Sequence, residues 1–216
     1  MTSQLYLGDC LDIMRTMPDK SVDFVFTDPP YNVRKDYGTY KDNLSDADYL
    51  AWSTTIIGEI KRVARAACIF VPQKYIRFWW YLLGDDYRQI VLSYSPEGAI
   101  RWGFINQFSS LLTNAKPIGR VKNVWHNCQM PGLGYFFREN NYGHPGYTSE
   151  DITSRVIASF TNEGDTILDP FMGSGITGVA CAKTGRNFIG IEIDPGYFEI
   201  AQRRIHDAEQ QPLLFA

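Results

Sequence analysis

The sequence predicts a single α/β domain built on a doubly wound, mostly parallel sheet. Short β-rich runs alternate with segments whose apolar residues recur at helical spacing. This alternation is typical of helices that cross over between parallel strands. Two of the runs, 22–27 and 67–72, meet prolines at their ends, where a strand must stop. With 216 residues, 44% of them hydrophobic, the chain is long enough to bury one core.

The predicted elements follow one another along the chain. Strands are expected over residues 5–7, 22–27, 67–72, 87–94, 166–168 and 188–193. Helices are expected over about 10–17, 45–63, 74–83, 149–160, 175–184 and 195–208. The second helix begins at Ser45, which has the S-x-x-D spacing of a helix start with Asp48. Residues 32–44 are polar and are expected to form a mobile loop, and residues 209–216 resemble a tail.

Composition excludes several classes of protein. No run of about 18 apolar residues is present, so a membrane span is not expected. The N-terminus lacks a basic stretch followed by an apolar run, so we expect a cytoplasmic protein. The four cysteines form no CxxC pair, which argues against a metal site. The net charge of -3 means that any nucleic-acid site must come from local clustering of basic residues.

A glycine-rich loop follows the strand at 166–168. It runs from Asp169 through Phe171 and Gly173 into a helix, so a ligand can approach the backbone closely and an anion can lie at the helix N-terminus. Glu192 ends the next strand, where a carboxylate can accept hydrogen bonds from both ribose hydroxyls of a nucleoside. Gly178 completes a G-x-G-x-x-G pattern, which leaves a dinucleotide site as an alternative.

The tetrapeptide Asp28-Pro29-Pro30-Tyr31 closes the strand at 22–27. An exocyclic base amine is a poor nucleophile, because its lone pair is delocalised into the ring. The Asp28 carboxylate and the Pro29 carbonyl can accept from its two N–H bonds and draw the nitrogen toward a nucleophilic form. Tyr31 can stack on a base flipped out of a duplex. The amine would then attack an electrophilic methyl group in line.

The two motifs, in this order, resemble those of the β-class DNA adenine-N6/cytosine-N4 amino-methyltransferase family. The resemblance covers residues 5–32 and 142–208, somewhat under half of the chain. It implies a Rossmann-like fold of the type that binds S-adenosylmethionine, with a circularly permuted motif order. It also implies methyl transfer from S-adenosyl-L-methionine to an amino group in DNA, in a restriction-modification context in bacteria or phages. Asp at the first tetrapeptide position is typical of the adenine enzymes, so Asp28 favours adenine N6.

The resemblance also assigns residues to a cofactor site. Asp9 would lie near the cofactor adenine, and Glu192 would bind the ribose. The remaining candidates for cofactor contact are Cys10, Asp28, Thr148, Asp169, Phe171, Gly173, Ser174, Gly175 and Ile193. Thr148 stands where the family often has a lysine in HPTQKP, which here is replaced by His144-Pro145-Gly146-Tyr147-Thr148-Ser149. Ser149 is equally suited to capping a helix.

Residues 98–138 are the candidate DNA-recognition insertion. They contain five basic residues, no Asp or Glu, and interleaved aromatics, which suits phosphate contacts with base stacking. The candidate DNA-binding residues are Arg34, Lys35, Arg101, Lys116, Arg120 and Lys122. Basic residues on the second helix are instead expected to form a solvated face.

The expected partner is double-stranded DNA, and a homodimer is left open. The C-terminal Gln211–Phe215 resembles the Q-x-x-L-F peptide by which bacterial proteins dock on the replication sliding clamp. Folding of this tail onto its own core is the alternative.

Three other functions are retained as alternatives. The first is the same reaction on cytosine N4. The second is a nicotinamide-dependent oxidoreductase built on the glycine loop, which leaves the tetrapeptide unexplained. The third is a non-catalytic DNA-binding protein.

Overall fold

The computed structural model describes residues 2–34, 36–37, 39–93, 108–119, 124–125 and 150–211. The strands are β1 (Ser3–Leu7), β2 (Val22–Thr27), β3 (Asp36–Tyr37), β4 (Tyr40–Lys41), β5 (Ala64–Val71), β6 (Arg88–Ser93), β7 (Phe108–Thr113), β8 (Val124–Trp125), β9 (Thr166–Asp169) and β10 (Asn187–Glu192). The helices are α1 (Cys10–Thr16), α2 (Asp46–Val63), α3 (Ile76–Leu83), α4 (Glu150–Phe160), α5 (Ile176–Thr184) and α6 (Pro195–Glu209), with a 3₁₀ turn at Gln73–Tyr75.

One eight-stranded sheet organises the described residues, in the order β1-β10-β9-β2-β5-β7-β6-β8. Neighbouring strands are parallel except where β7 pairs with β5 and with β6. Seven strands therefore point one way and β7 points the other. The predicted doubly wound, mostly parallel sheet is confirmed.

The alternation of side chains along β2 shows how the two faces of the sheet are filled. Phe24 and Phe26 point into a cluster formed with α4, α5 and α6. Val25 points into a second cluster, which α1, α2 and α3 complete. Both faces of the strand therefore carry buried apolar residues, as expected when helices cover both faces of a parallel sheet.

Several predicted boundaries shift. Strand β5 begins at Ala64 rather than at residue 67, and it ends before Pro72 as predicted. Ser45 caps α2 and accepts the Asp48 N–H at 3.1 Å. The prediction of a loop throughout 32–44 is wrong, because β3 and β4 form a small antiparallel hairpin there. The segment also makes longer-range contacts, from Asp42 to the Asn32 N–H and from Thr39 to Asp194, which its local composition does not predict.

Strand β7 lies within the candidate insertion at 98–138 but belongs to the main sheet. Leu111 and Leu112 are fully buried, one in each core cluster. Residues 108–113 are therefore part of the central sheet. The rest of that segment, apart from 114–119 and 124–125, lies outside the described residues.

Three further observations concern composition. Among the described helices, none is long and apolar enough to cross a membrane. Cys10, Cys68 and Cys181 are buried free thiols, and burial raises the pKa of Cys68 and Cys181 well above the ordinary thiol value. The described ranges contain no group of three or more His, Cys, Asp or Glu side chains that could hold a metal ion.

Tail residues 212–216, which include most of the predicted clamp-docking peptide, lie outside the described residues.

Candidate active site

The predicted motifs meet at the carboxyl edge of the sheet. Strands β1, β10, β9 and β2 are consecutive neighbours, and all four are parallel. The chain leaves β9 toward β10 on one side and leaves β2 toward β5 on the other. The winding therefore reverses between β9 and β2, and a ligand crevice is expected outside such a point. The Asp28 tetrapeptide and the glycine loop flank it.

Glu192 is held by the backbone of the glycine loop. Its carboxylate accepts the Gly173 N–H on Oε2 at 2.8 Å and the Asp194 N–H on Oε1 at 2.8 Å. Gly173 has a φ of 53°, which glycine adopts without strain. Burial raises the pKa of Glu192, and these N–H groups oppose the rise. The backbone N–H groups therefore orient this carboxylate, which is the residue predicted to accept from a ribose.

The Asp9 end of β1 adjoins Glu192. The Gly8 N–H donates to the Glu192 carbonyl at 2.8 Å. Asp9 caps α1, its Oδ1 accepting the N–H of Leu11 at 2.8 Å. Cys10 follows, and its side chain lies in the apolar core. Burial, with a contribution from Asp9, raises the pKa of the Cys10 thiol to about 12. The structure therefore gives Cys10 a packing role.

Asp169 is a buried connection between the two motifs. Its Oδ1 accepts from the Thr27 hydroxyl at 2.8 Å and from the Phe171 N–H at 3.1 Å. Its Oδ2 accepts from the Thr177 hydroxyl at 2.6 Å. Burial raises the pKa of Asp169 to about 6, against these hydrogen bonds, and the negative charge of Asp28 adds to the rise. Asp169 therefore ties the end of β2 to the glycine loop and to α5.

The other small residues of the glycine loop are explained by packing. A Cβ on Gly175, which has a φ of +83°, would lie 2.9 Å from the Ala201 Cβ. A Cβ on Gly178 would lie 2.4 Å from the Ile205 Cδ1. Both glycines therefore let α5 approach α6 closely. Ser174 is buried, and its hydroxyl accepts from Arg204 at 2.9 Å. Gly173 is the glycine whose N–H faces the predicted ribose acid.

Sequence reasoning missed a row of aromatic rings that runs from Phe171, in the glycine loop, to Tyr75, just after β5. The Phe171 ring lies 5.7 Å from that of Trp52, the Trp52 ring lies 5.6 Å from that of Tyr49, and the Tyr49 ring lies 4.6 Å from that of Tyr75. Tyr49 and Trp52 recur at helical spacing, and that signal predicted only that they belong to the buried face of a helix.

Side chains from other parts of the chain bind the backbone of the Asp28 tetrapeptide and of the residues after it. Pro29 is buried, and Asp28, Pro30 and Tyr31 are partly buried. The Tyr49 hydroxyl donates to the Pro30 carbonyl at 2.9 Å. The buried Asp42 carboxylate accepts the backbone N–H groups of Asn32 and Val33, which directly follow Tyr31. These hydrogen bonds therefore hold the backbone at the end of the tetrapeptide and directly after it.

The hairpin that follows the tetrapeptide reaches across to the far side of the crevice. The Thr39 hydroxyl donates to Asp194 Oδ2 at 2.8 Å, and Asp194 caps α6 two residues after Glu192. Burial raises the pKa of Asp194, but hydrogen bonds from Thr39 and from the helix backbone outweigh it and leave the pKa lowered. The loop of the tetrapeptide is thereby joined to the Glu192 strand. Ile193, between Glu192 and Asp194 in the sequence, has an exposed side chain.

The predicted DNA-binding residues are divided by the fold. Arg34 is exposed directly after the tetrapeptide, whereas Lys116 follows β7. Because β7 runs antiparallel, its last residue Thr113 pairs with Cys68 near the middle of β5, and the chain continues to Ile118, whose N–H donates to the Ser159 carbonyl at 2.7 Å near the end of α4. Lys116 therefore lies toward the edge opposite the crevice, and the structure does not bring it to the site. Predicted residues Lys35, Arg101, Arg120, Lys122 and Thr148 lie outside the described residues.

The basic residues on α2 and just beyond it have partners within the protein. Arg62 pairs with Asp19 at 2.8 Å and with Glu59 at 2.7 Å. Lys61 donates to the Leu82 carbonyl at 2.7 Å. These contacts fit the prediction of a solvated face.

Comparisons with known proteins bear on this site. A family model described as DNA methylase, N6_N4_Mtase, matches residues 22–110 and 95–203. The chain is similar to the type II methyltransferase M.HpaI of Haemophilus parainfluenzae, with 28% identity over 95% of this chain and 74% of that protein. It is also similar to the DNA adenine methyltransferase YhdJ of Escherichia coli strain K12, with 27% identity over 92% of this chain and 81% of that protein.

Solved structures share the fold. A complex of M1.HpyAVI with SAM has a TM-score of 0.70 at 24% identity, over 94% of this chain and 99% of that chain. The cytosine-N4-specific PvuII DNA methyltransferase has a TM-score of 0.74 at 16% identity, over 97% of this chain and 92% of that chain.

Proposed function

The chain belongs to the DNA methylase family of S-adenosylmethionine-dependent DNA methyltransferases, and from that premise we propose that it methylates N6 of adenine. The observation that carries the proposal is the placement of the Asp28 tetrapeptide across the winding reversal from the Glu192 and glycine-loop side. One side of the crevice offers acceptors for an amine, and the other offers a prepared ribose acceptor. Asp28 as the first residue of the tetrapeptide supports adenine over cytosine.

The residues at the crevice fit the cofactor. Glu192 presents a carboxylate already oriented by Gly173, which suits the two hydroxyls of a ribose. Asp9 lies one strand away, on the β1 side of Glu192, and Phe171 borders the loop. We assign Asp9, Phe171, Gly173 and Glu192 to the cofactor side. S-adenosylmethionine, when bound there, supplies an electrophilic methyl group on a sulfonium.

The tetrapeptide acts on the target base. The Asp28 carboxylate and the Pro29 carbonyl accept the two N–H bonds of the amine, which frees its lone pair for attack. Neither proline has an N–H of its own, so their carbonyls are the polar groups that this backbone offers. Tyr31 stacks on the extruded base. Holding amine and methyl in line is the main source of rate.

DNA would approach along the same edge of the sheet. Arg34 follows the tetrapeptide, and Lys35 is adjacent in sequence. The described flanks of residues 94–107, Ser93 and Phe108, are paired with each other at the crevice edge. Arg101 belongs to that segment, so we keep it, with Arg120 and Lys122, as phosphate-binding candidates.

Incubation with methyl-tritiated S-adenosylmethionine and unmethylated DNA of mixed sequence tests the proposal. We expect label in N6-methyladenine after digestion to nucleosides. Label in N4-methylcytosine would instead support the alternative that the similarity to the PvuII fold leaves open. Label on no base of several DNAs would contradict both.

A substitution of Asp28 tests the role proposed for its carboxylate. Asp28→Ala should abolish transfer while calorimetry still detects cofactor binding. Asp85→Ala, at an exposed turn after α3, is the matched control and should retain activity. Undiminished transfer by Asp28→Ala would show that the amine is activated elsewhere.

A further inference from the structure

Tyr31 is bounded by two peptide groups, and each is held by a different buried side chain. The carbonyl of the preceding group, on Pro30, accepts from the Tyr49 hydroxyl at 2.9 Å. The N–H of the following group, on Asn32, donates to Asp42 Oδ1 at 2.6 Å. The relative orientation of two successive peptide planes fixes φ and ψ of the residue between them. The two contacts together therefore set φ and ψ of Tyr31, and with them the direction of its Cα–Cβ bond.

Tyr49 is a rigid support for this purpose. Its side chain is fully buried, and its ring packs between those of Trp52 and Tyr75. It lies in the first turns of α2, whose start is fixed by the Ser45 cap. A hydroxyl held in this way donates from one direction only, so the Pro30 carbonyl is held at a fixed place.

Asp42 supplies the second support. Besides Asn32, its Oδ2 accepts the Val33 N–H at 2.9 Å, and its carbonyl accepts the Arg34 N–H at 2.7 Å. Asn32 and Arg34 have φ values of 56° and 61°, a conformation that costs free energy for residues other than glycine. Asp42, 2% exposed, offsets that cost with charge-assisted hydrogen bonds.

We infer that Tyr49 and Asp42 are positioning residues, which orient Tyr31 for stacking on the extruded base. The inference rests on the proposed function. Neither side chain needs to touch DNA or cofactor, because each acts on the backbone on one side of Tyr31. Their loss should lower kcat and leave the binding of both substrates unchanged.

Tyr49→Phe is the decisive variant, since it removes one hydroxyl and keeps the stacked ring. We expect kcat to fall roughly three- to tenfold, the factor that corresponds to one hydrogen bond of ordinary strength. KM for DNA and calorimetric cofactor affinity should stay within about twofold. Asp42→Asn should act in the same direction. Thermal unfolding of each variant separates this effect from a loss of fold.

Matched controls make the same chemical changes elsewhere. Tyr87→Phe alters another buried tyrosine of the same core cluster. Asp165→Asn alters an aspartate that also accepts a backbone N–H, from Asn162 at 2.7 Å, at the opposite edge of the sheet. Both should retain wild-type kcat.

A double-mutant cycle separates positioning from general support of the loop. In a Tyr31→Ala background, Tyr49→Phe should have no further effect on kcat, because the ring that it orients is gone. Wild-type kcat in both single variants, a raised KM with unchanged kcat, or full additivity with Tyr31→Ala would overturn the inference. Absence of methyl transfer by the wild-type protein would instead refute the proposed function.

Discussion

Replacing Asp169 by Asn removes a buried negative charge and keeps the shape of the side chain. The amide oxygen can still accept from the Thr27 hydroxyl and the Phe171 N–H, which now share Oδ1. The new amide NH₂ would face the Thr177 hydroxyl, 2.6 Å from the present Oδ2, and a hydroxyl can accept as well as donate. The hydrogen-bond network therefore survives the substitution.

The magnitude follows from the pKa of Asp169, which burial raises from 3.8 to about 6. Between these two values the folded protein binds more protons than the unfolded chain, so stability from this group increases as the pH falls. Each pH unit in that window is worth about 1.4 kcal/mol. Above about pH 6 the ionised carboxylate therefore costs the fold about 3 kcal/mol, and Asp169→Asn should escape that cost.

Urea unfolding of both proteins between about pH 4 and pH 7.5 measures the effect. The stability of Asp169→Asn relative to wild type should be greatest at neutral pH and should decline by about 2–3 kcal/mol toward pH 4. Thr177→Ala should extend the pH dependence to higher pH, because the hydroxyl that it removes holds down the pKa of Asp169. A stability difference that does not change with pH would refute the reasoning.

Three further substitutions test contacts around the crevice. Gly178→Ala forces a Cβ to within 2.4 Å of Ile205 Cδ1 and should cost about 1–3 kcal/mol, measured as a lower Tm. Thr39→Val removes the hydroxyl bonded to Asp194 and should speed cofactor dissociation in stopped-flow traces; an unchanged rate would mean that the hairpin does not retain the cofactor. Arg204→Ala frees the glycine loop and should weaken calorimetric cofactor affinity roughly fivefold, the factor for about 1 kcal/mol, with little change in kcat.

Much of the fold could be predicted because its signals are local. Strand β5 ends at the residue before Pro72. Helix α2 begins directly after its Ser45 cap, as predicted. Strand β7 could not be predicted in the same way, since its direction depends on pairing with β5 and β6 rather than on its own residues. That direction also places Lys116, a predicted DNA-binding residue, toward the edge opposite the crevice. Its basic character was visible in the sequence, but the edge of the sheet was not.

The site was predictable where chemistry is concentrated in a short motif. The Asp28 tetrapeptide, Gly173 and Glu192 met at one edge because parallel strands share their carboxyl ends. The supports were not predictable, because Tyr49 and Asp42 act through backbone groups far along the chain. Asp42 occurs in a polar stretch that predicts solvent exposure, and only its partners explain its burial.

The strand order has a consequence for how the protein is made. Strands β1 and β2 are the first two strands of the main sheet in chain order. In the sheet itself, β10 and β9 lie between them. During synthesis the first strand therefore has no partner in that sheet until residues 187–192 leave the ribosome, and the central gap stays open until residues 166–169 arrive. Such long-range closure is slow compared with local pairing. Both walls of the crevice are complete only once residues 187–192 have been made, so a nascent chain that stops short of them lacks the Glu192 side of the crevice.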